Sequence, residues 1–566
     1  MPPIKMNARA RKTTAIFVFA LGTCLSFGQN VTPSQTTPPA VVSTEAASYR
    51  IAGRTVSAAD GHPLQGATVL IVNTKTQQPV ASTLAGEDGG FAFTGLPADK
   101  YSLEAVKTGY LASAYDQHEN YSTAIVTGAG LNTDSLVLGV TPAAILRGRV
   151  TDEAGDPVRG AIVTLYLENR DEGRTRVTQF RNAPTDDLGA YEIVSLPPGT
   201  YFISAKGAPW YAVHPQLRKP ANPIGLIGSV DPSLDVAYPT TFYADAIGAD
   251  GATAIPVRAG DQVNIDLHLL PLPAVTLTLH AAPGQQGVSA SLQLQELVFD
   301  QSETVDGQVQ FDDSEVSLVG FPPGHYVLNQ VSQSTGGITK SKLIDLTRGA
   351  VDTDATSGED SGGIKLKLEG ENGVNLPPGM FVSLRSKEAG IVGSQPMNDT
   401  GVAEFRGVKP GDYHFILSGS DRQYHVARIA LVGGKSLSNT VRVAPGTTVS
   451  VTVTVVAGSG AVEGFAVKDG KPAAGVMIVL IPSDANDNVE LSRRDQSDLD
   501  GSFLLPNVIP GKYTAVAIEN GWELEWGRPE VLAQYLPKGL SVTISSSKRG
   551  SIRLSDALIV QPRQLE

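Results

Sequence analysis

Apolar and polar positions alternate in short runs along most of the chain, as in Tyr101-Ser102-Leu103-Glu104-Ala105, with Gly, Pro, Asn and Asp between the runs. Alternation with period two over four to eight residues predicts half-buried strands joined by tight turns. One longer pattern recurs. An apolar residue is followed three positions on by another, then by Pro-Gly or a substitute, one residue, and Tyr. The copies are Phe93–Leu96–Tyr101, Ile193–Leu196–Tyr201, Leu318–Phe321–Tyr326, Phe405–Val408–Tyr413 and Leu505–Val508–Tyr513. Pro fixes φ for the second position of a turn, and Gly after it enters the left-handed region without steric cost. The first copy has Ala98-Asp99 there instead. Each Tyr should open a strand, bury its ring and reach a turn carbonyl with its hydroxyl. Tyr101, Tyr201, Tyr326, Tyr413 and Tyr513 are therefore structural, and their spacings of 100, 125, 87 and 100 residues predict one compact domain per copy.

Three copies also carry a head. Gly53-Arg54-Thr55 leads to Gly66-Ala67-Thr68-Val69, Gly148-Arg149-Val150 to Gly160-Ala161-Ile162-Val163, and Gly464 to Gly475-Val476. An Asp-and-Gly turn then precedes the tail at Asp88-Gly89-Gly90-Phe91, Asp186–Tyr191 and Asp498–Phe503. The third and fourth copies show the tail without a recognisable head. The 59 Gly and 37 Pro make up about a sixth of the chain, above the usual ~12%. The repeated turns account for much of that surplus.

These motifs resemble the carboxypeptidase regulatory-like domain. The resemblance implies a small transthyretin-like or prealbumin-like β-sandwich of about seven strands, close to the collagen-adhesin B-type and carbohydrate-binding-like sandwiches. The fold class expected is all-β, a tandem array of about five immunoglobulin-like or prealbumin-like sandwiches. The expected segments are 50–140, 141–272 with an insertion, 273–348, 364–447 and 448–566, with a polar linker at 349–363.

The N-terminus reads as an export signal. Lys5, Arg9, Arg11 and Lys12 precede an apolar core from Ala15 to Phe27, and the small residues Ser26 and Gly28 suit cleavage before Gln29. Residues 29–49, rich in Pro, Thr, Ser and Gln, read as a disordered linker. The single Cys, Cys24, lies in the signal; Leu21-Gly22-Thr23-Cys24 is an imperfect lipobox, so a lipid anchor at Cys24 is the alternative. The chain then carries no disulfide scaffold. Residues 1–28 hold four basic side chains and no acidic one, so removing them takes the net charge from −13 to −17. A field of that sign repels phosphate backbones, which argues against nucleic acid as a partner.

A peptidase role would need a His with an acid three residues on, together with a distant His. None of the eight histidines has that neighbour. Gly433-Gly434-Lys435-Ser436 resembles the end of a phosphate loop, but Ile429 stands at the first Gly position and a hairpin turn explains it better. Asp484, Asn486, Asp487 and Asn488 offer oxygen ligands of the kind calcium takes, although hairpin loops use the same residues. Sugar platforms use exposed aromatic rings, and the candidates are Trp210, Tyr211, Trp522 and Trp526. In a strand, Trp522, Leu524 and Trp526 would share one face. The alternative has those rings packing beneath the helical-looking segment Pro529–Tyr535.

The expected function is a secreted, non-enzymatic binding or scaffold protein with a polysaccharide or cell-surface partner. A purely structural envelope spacer, or an accessory to an extracellular peptidase or glycan-degrading system, is the alternative.

Overall fold

The computed structural model describes residues 48–564, apart from 129, 172, 215–230, 281–290, 300, 306, 312–314, 332–337, 355–356, 387–389, 420–423, 433–435, 438–439, 459, 484–490 and 546–549. The export signal, Cys24, nearly all of the linker and the calcium candidates Asp484, Asn486, Asp487 and Asn488 lie outside the described residues.

The first unit sets the plan. Its strands are β1 (Tyr49–Ser57), β2 (Thr68–Asn73), β3 (Pro79–Leu84), β4 (Gly90–Leu96), β5 (Lys100–Val106), β6 (Ser113–Ala114), β7 (Ile125–Val126) and β8 (Leu136–Val140). One sheet has the order β4-β1-β8; the other is β3-β2-β5, with β6 and β7 both pairing to β5. β1 runs antiparallel to β4 and parallel to β8. The close parallel approach explains the head glycine, because a Cβ on Gly53 would lie 2.0 Å from the Leu136 carbonyl oxygen. On Gly148 it would lie 1.7 Å from that of Ile265.

The same first-strand arrangement recurs along the chain. In the second unit β9 (Ala144–Thr151) is followed by β10 (Ile162–Asp171), β11 (Arg174–Pro184), β12 (Ala190–Leu196) and β13 (Gly199–Lys206). Here β9 is antiparallel to β12 and parallel to Gln262–Asn264. Val275–His280 has the same two kinds of neighbour, Glu315–Phe321 and Val351–Asp354. So has Gly362–Gly370, with Val402–Val408 and Thr448–Ala457. In the fifth unit Gly460–Lys468 pairs with Ser502–Val508 and Gly550–Arg553. The third and fourth units thus keep the topology after losing the head motif. Each unit surrounds its own apolar core.

Three expected boundaries shift. Residues 349–363 are not a bare linker, because Val351–Asp354 closes the third unit as a parallel strand and Glu359–Asp360 is also paired. Val351 and Thr353 are half-buried while Asp352 and Asp354 face solvent, so an edge strand carries the composition of a linker. Thr448–Ala457 belongs to the fourth unit's sheet rather than the fifth's. At the N-terminal side, Tyr49 already lies in β1.

The three-residue spacing in the tail has a geometric consequence. Side chains three apart on a regular strand point to opposite faces, yet Phe93 and Leu96 are both buried. A bulge reconciles them. Ile51 faces Phe93 but Tyr49 faces Leu96, and Gly95 between them has φ +77°. The register slips at the equivalent place in the other four units. The residues there are Ser195, Gly320, Gly407 and Asn507, all with positive φ. An extra residue in the left-handed region turns the strand and returns the second apolar side chain to the core.

The turn beyond each bulge is tied by its tyrosine. The hydroxyls of Tyr101, Tyr201, Tyr326, Tyr413 and Tyr513 donate to the carbonyls of Pro97, Pro197, Pro322, Lys409 and Ile509, at 3.1, 2.7, 2.7, 2.6 and 2.8 Å. Every ring is buried. Burial pushes the Tyr201 phenol up to about 12 and raises those of Tyr101, Tyr326 and Tyr413 as well. Tyr201→Phe keeps the ring but leaves the Pro197 carbonyl unpaired, and should lower stability by about 1 kcal/mol. Ser195→Val forces a β-branched residue to positive φ and should cost about 1–3 kcal/mol, whereas Ser195→Gly should be neutral or stabilising. Urea titration of the three variants checks this order.

Candidate functional site

The aromatic candidates separate. The strand Gly511–Glu519 ends at Asn520, whose left-handed backbone starts a 3-10 turn over Gly521–Glu523. Trp522 therefore does not lie on a strand with Leu524 and Trp526. It is 6% exposed and packs on Val531, Leu532 and Tyr535, in and just after the short helix Pro529–Ala533. Its indole N–H donates to the Gly475 carbonyl at 3.3 Å. A sugar could not stack on it.

What covers Trp522 is the first unit. The His118 ring stacks on the indole at 5.4 Å with 9° between planes, and Tyr121 lies tilted at 5.3 Å. Arg494 completes the group. Its guanidinium lies 4.2 Å from the Trp526 ring centroid and 5.3 Å from that of Tyr121, and it forms an ion pair with Glu119 at 2.8 Å. Gln496 is fully buried beside it, donating to Thr123 Oγ1 at 2.8 Å and to the Asp116 carbonyl, with His118 Nδ1 at 3.1 Å from its Oε1. Asp498 accepts from Lys100 at 2.5 Å and from the Ala124 N–H at 3.2 Å. Leu499 N–H donates to the Ala124 carbonyl at 3.0 Å. Side chains nearly 400 residues apart thus form one joint.

The hairpin β10–β11 of the second unit reaches the same place. Gly173 at its tip lies flat against Trp526, where a Cβ would come within 2.5 Å of the ring. Its carbonyl accepts from Gly527 N–H at 2.9 Å. Glu525 accepts from Thr175 N–H at 3.0 Å; hydrogen bonds from the Thr175 side chain and backbone, together with Arg528, hold its carboxyl below the ordinary range. Farther along the same edge, Gln301 of the third unit accepts from Gln179 N–H at 3.1 Å. Side-chain oxygens from two other units thereby occupy donors on an edge strand, which protects it from pairing with another chain.

The second and third units meet around Lys206, which lies 2.8 Å from Glu296 and 2.6 Å from Glu303. Burial would lower the ammonium, but the two carboxylates hold it above its usual value. Tyr166 donates to Glu303 at 2.6 Å. Phe299 sits against Tyr166, Phe202 and Phe242, the last of these in the second unit's short strand Thr241–Phe242.

Trp210 and Tyr211 are placed differently. Trp210 is 87% exposed, with its ring edge-on to Tyr211 at 5.8 Å and 87°. The Tyr211 hydroxyl donates to Glu153, and that of Tyr238 donates to the same carboxylate at 3.0 Å. Burial would raise Glu153, but the two phenols outweigh it and hold the carboxyl low. The Tyr211 phenol is itself pushed up to about 12 by that carboxylate. The result is an exposed indole beside a ring fixed by a carboxylate.

The motifs, the first-strand topology and the tyrosine ties converge on one domain type. Two segments of the chain match the carboxypeptidase regulatory-like domain. They are residues 50–128 and 145–214, within the first and second units. A comparison with curated proteins finds no match. Among solved structures, the Bacillus anthracis TIE protein is 12% identical over 74% of this chain and 76% of its own, with a TM-score of 0.17. A streptococcal ancillary pilin is 13% identical, covering 52% and 100%, with a TM-score of 0.18. The minor pilin GBS52 of Streptococcus agalactiae is 14% identical, covering 40% and 97%, with a TM-score of 0.21. Superpositions this loose leave the fold to rest on this chain's own strand pairing.

Asp495, beside the joint, accepts from the N–H groups of Leu504 and Gln496 at 2.8 and 2.9 Å. Burial nevertheless pushes its carboxyl up to about 7. Between about pH 4 and pH 7 the folded chain keeps a proton here that the unfolded chain has lost, so stability falls as pH rises through that window. The melting temperature of the parent protein should therefore drop more between about pH 5 and pH 8 than that of Asp495→Asn. Parallel curves would show that Asp495 is not the group responsible.

Proposed function

We propose that the chain is an exported, non-enzymatic scaffold of the cell surface, which holds its β-sandwich units against one another and presents the Trp210 platform to a polysaccharide. The observation that carries this reading is the joint of the first, second and fifth units. Its polar side chains are engaged across unit boundaries, Lys100 with Asp498, Arg494 with Glu119, Gln496 with Thr123 and Asp498 with the Ala124 N–H. Among the described residues no group of three or more His, Cys, Asp or Glu is placed to hold a metal ion. The match to a regulatory-like domain over the first two units agrees with a supporting role.

Trp210 supports the polysaccharide part. An indole face open to solvent loses little conformational freedom on binding and stacks on the C–H face of a pyranose. Glu153, fixed by two phenols, would stand near it as a hydrogen-bond acceptor. Export rests on residues 1–28, with anchoring at Cys24 the alternative. Affinity electrophoresis against soluble and insoluble polysaccharides tests the ligand. Retardation should be lost in Trp210→Ala while the melting temperature stays within about 1 °C of the parent, as for a surface change. No retardation on any polysaccharide would leave the scaffold without this ligand, which is the spacer alternative.

A further inference from the structure

Where the second, third and fourth units meet there is a cleft of about 970 Å³. Two of its walls are strands, Gln301–Thr304 of the third unit and Gly390–Pro396 of the fourth. Among the described residues each is the last strand of its sheet. An outermost strand directs a row of backbone N–H and C=O groups away from its sheet, at the spacing another extended chain requires. Beside these edges Leu297, Ile391 and Val392 are exposed. Branched aliphatic side chains at a sheet edge suit alternate side chains of an added strand better than they suit a sugar. A sugar would need an open aromatic face; the cleft's Phe405 and Tyr413 are buried, and its half-buried Phe299 is packed against Tyr166, Phe202 and Phe242.

The charge of the lining narrows the partner. Lys206 is shared between Glu303 and Glu296, which leaves that cluster one negative charge, and Arg406 is held by Glu404 through two bonds of 3.1 and 3.2 Å. Beyond these pairs the lining contributes Arg176 and Lys409. A positive cleft in a chain of net charge −13 runs against the surrounding field, and such a local reversal of sign favours an anionic partner.

We propose that this cleft is a docking groove for an extended acidic polypeptide segment, which joins the strand Gln301–Thr304 or Gly390–Pro396 as an added strand. The groove is separate from the Trp210 platform and does not depend on it. Fluorescence anisotropy with the full chain tests it, using a labelled peptide of alternating Glu and Val at physiological salt. A peptide of alternating Lys and Val serves as the charge control, and oligogalacturonate as an anionic sugar. The acidic peptide should bind saturably and at least about tenfold more tightly than the basic one. The double variant Arg176→Glu, Lys409→Glu should reverse that order. Leu297→Asp, with an unchanged circular dichroism spectrum, should weaken the acidic peptide by about tenfold or more. The proposal is overturned by failure of the acidic peptide to saturate, by equal affinity for both peptides, or by binding of oligogalacturonate in place of the peptide.

Discussion

Trp522 lies beneath His118 and Tyr121, and Gln496 is enclosed with Thr123 and the Asp116 carbonyl, so that two domains far apart in sequence share one interior. The order of energies shows which contacts hold them. Partly exposed ion pairs such as Arg494–Glu119 contribute about 0–1 kcal/mol. Aromatic pairs add about 0.5–1.5 kcal/mol beyond the area they bury. A buried amide left unpaired would cost about 1–3 kcal/mol. The stacked rings and the satisfied Gln496 therefore set the joint's strength, while Lys100–Asp498 and Arg494–Glu119 fix its register. Glycine at 173 lets the second unit reach the same surface. The joint thus sets how the first, second and fifth units sit together, while the contacts around Lys206 and Phe299 join the second to the third.

Local features of the fold were legible wherever neighbouring residues determine them. The Pro-Gly-x-Tyr tail locates a turn and a buried ring from backbone preference alone, and each hydroxyl bonds four residues back. The bulge left a signal too. Two apolar residues three apart, with Gly, Ser, Gly, Gly and Asn at positions 95, 195, 320, 407 and 507, require a left-handed residue if both apolar side chains are to be buried. The head glycines have a comparable cause, since the closing parallel strand leaves no room for a Cβ at Gly53 or Gly148. In the third and fourth units the topology persists although that signature is gone, because alternating burial and the bulge still pair the first strand with the tail.

The site was much less legible. Trp522 and Trp526 admitted two readings, a strand face or rings beneath Pro529–Tyr535; the left-handed Asn520 ends the strand before them, and Trp522 packs on Val531, Leu532 and Tyr535. Gln496 and Asp498 look like ordinary hairpin residues; their partners lie in the first unit, and no spacing along the chain shows that. The same limit applies at Gly349–Gly363, where alternating acids gave a paired edge strand the composition of a linker. Trp210, by contrast, lies in a loop with its ring open to solvent.

A chain built in this way needs no thiol to hold its units together, since its one cysteine, Cys24, lies within residues 1–28. That allows a direct measurement of whether the first and fifth units form one body. Spin labels on Lys75→Cys and Lys471→Cys, exposed positions in those units, report their separation by double electron–electron resonance in the chain lacking residues 1–28. A joined pair gives a single narrow distance distribution that broadens when Trp522→Ala is added. A broad distribution in the parent protein, unchanged by Trp522→Ala, would contradict the account.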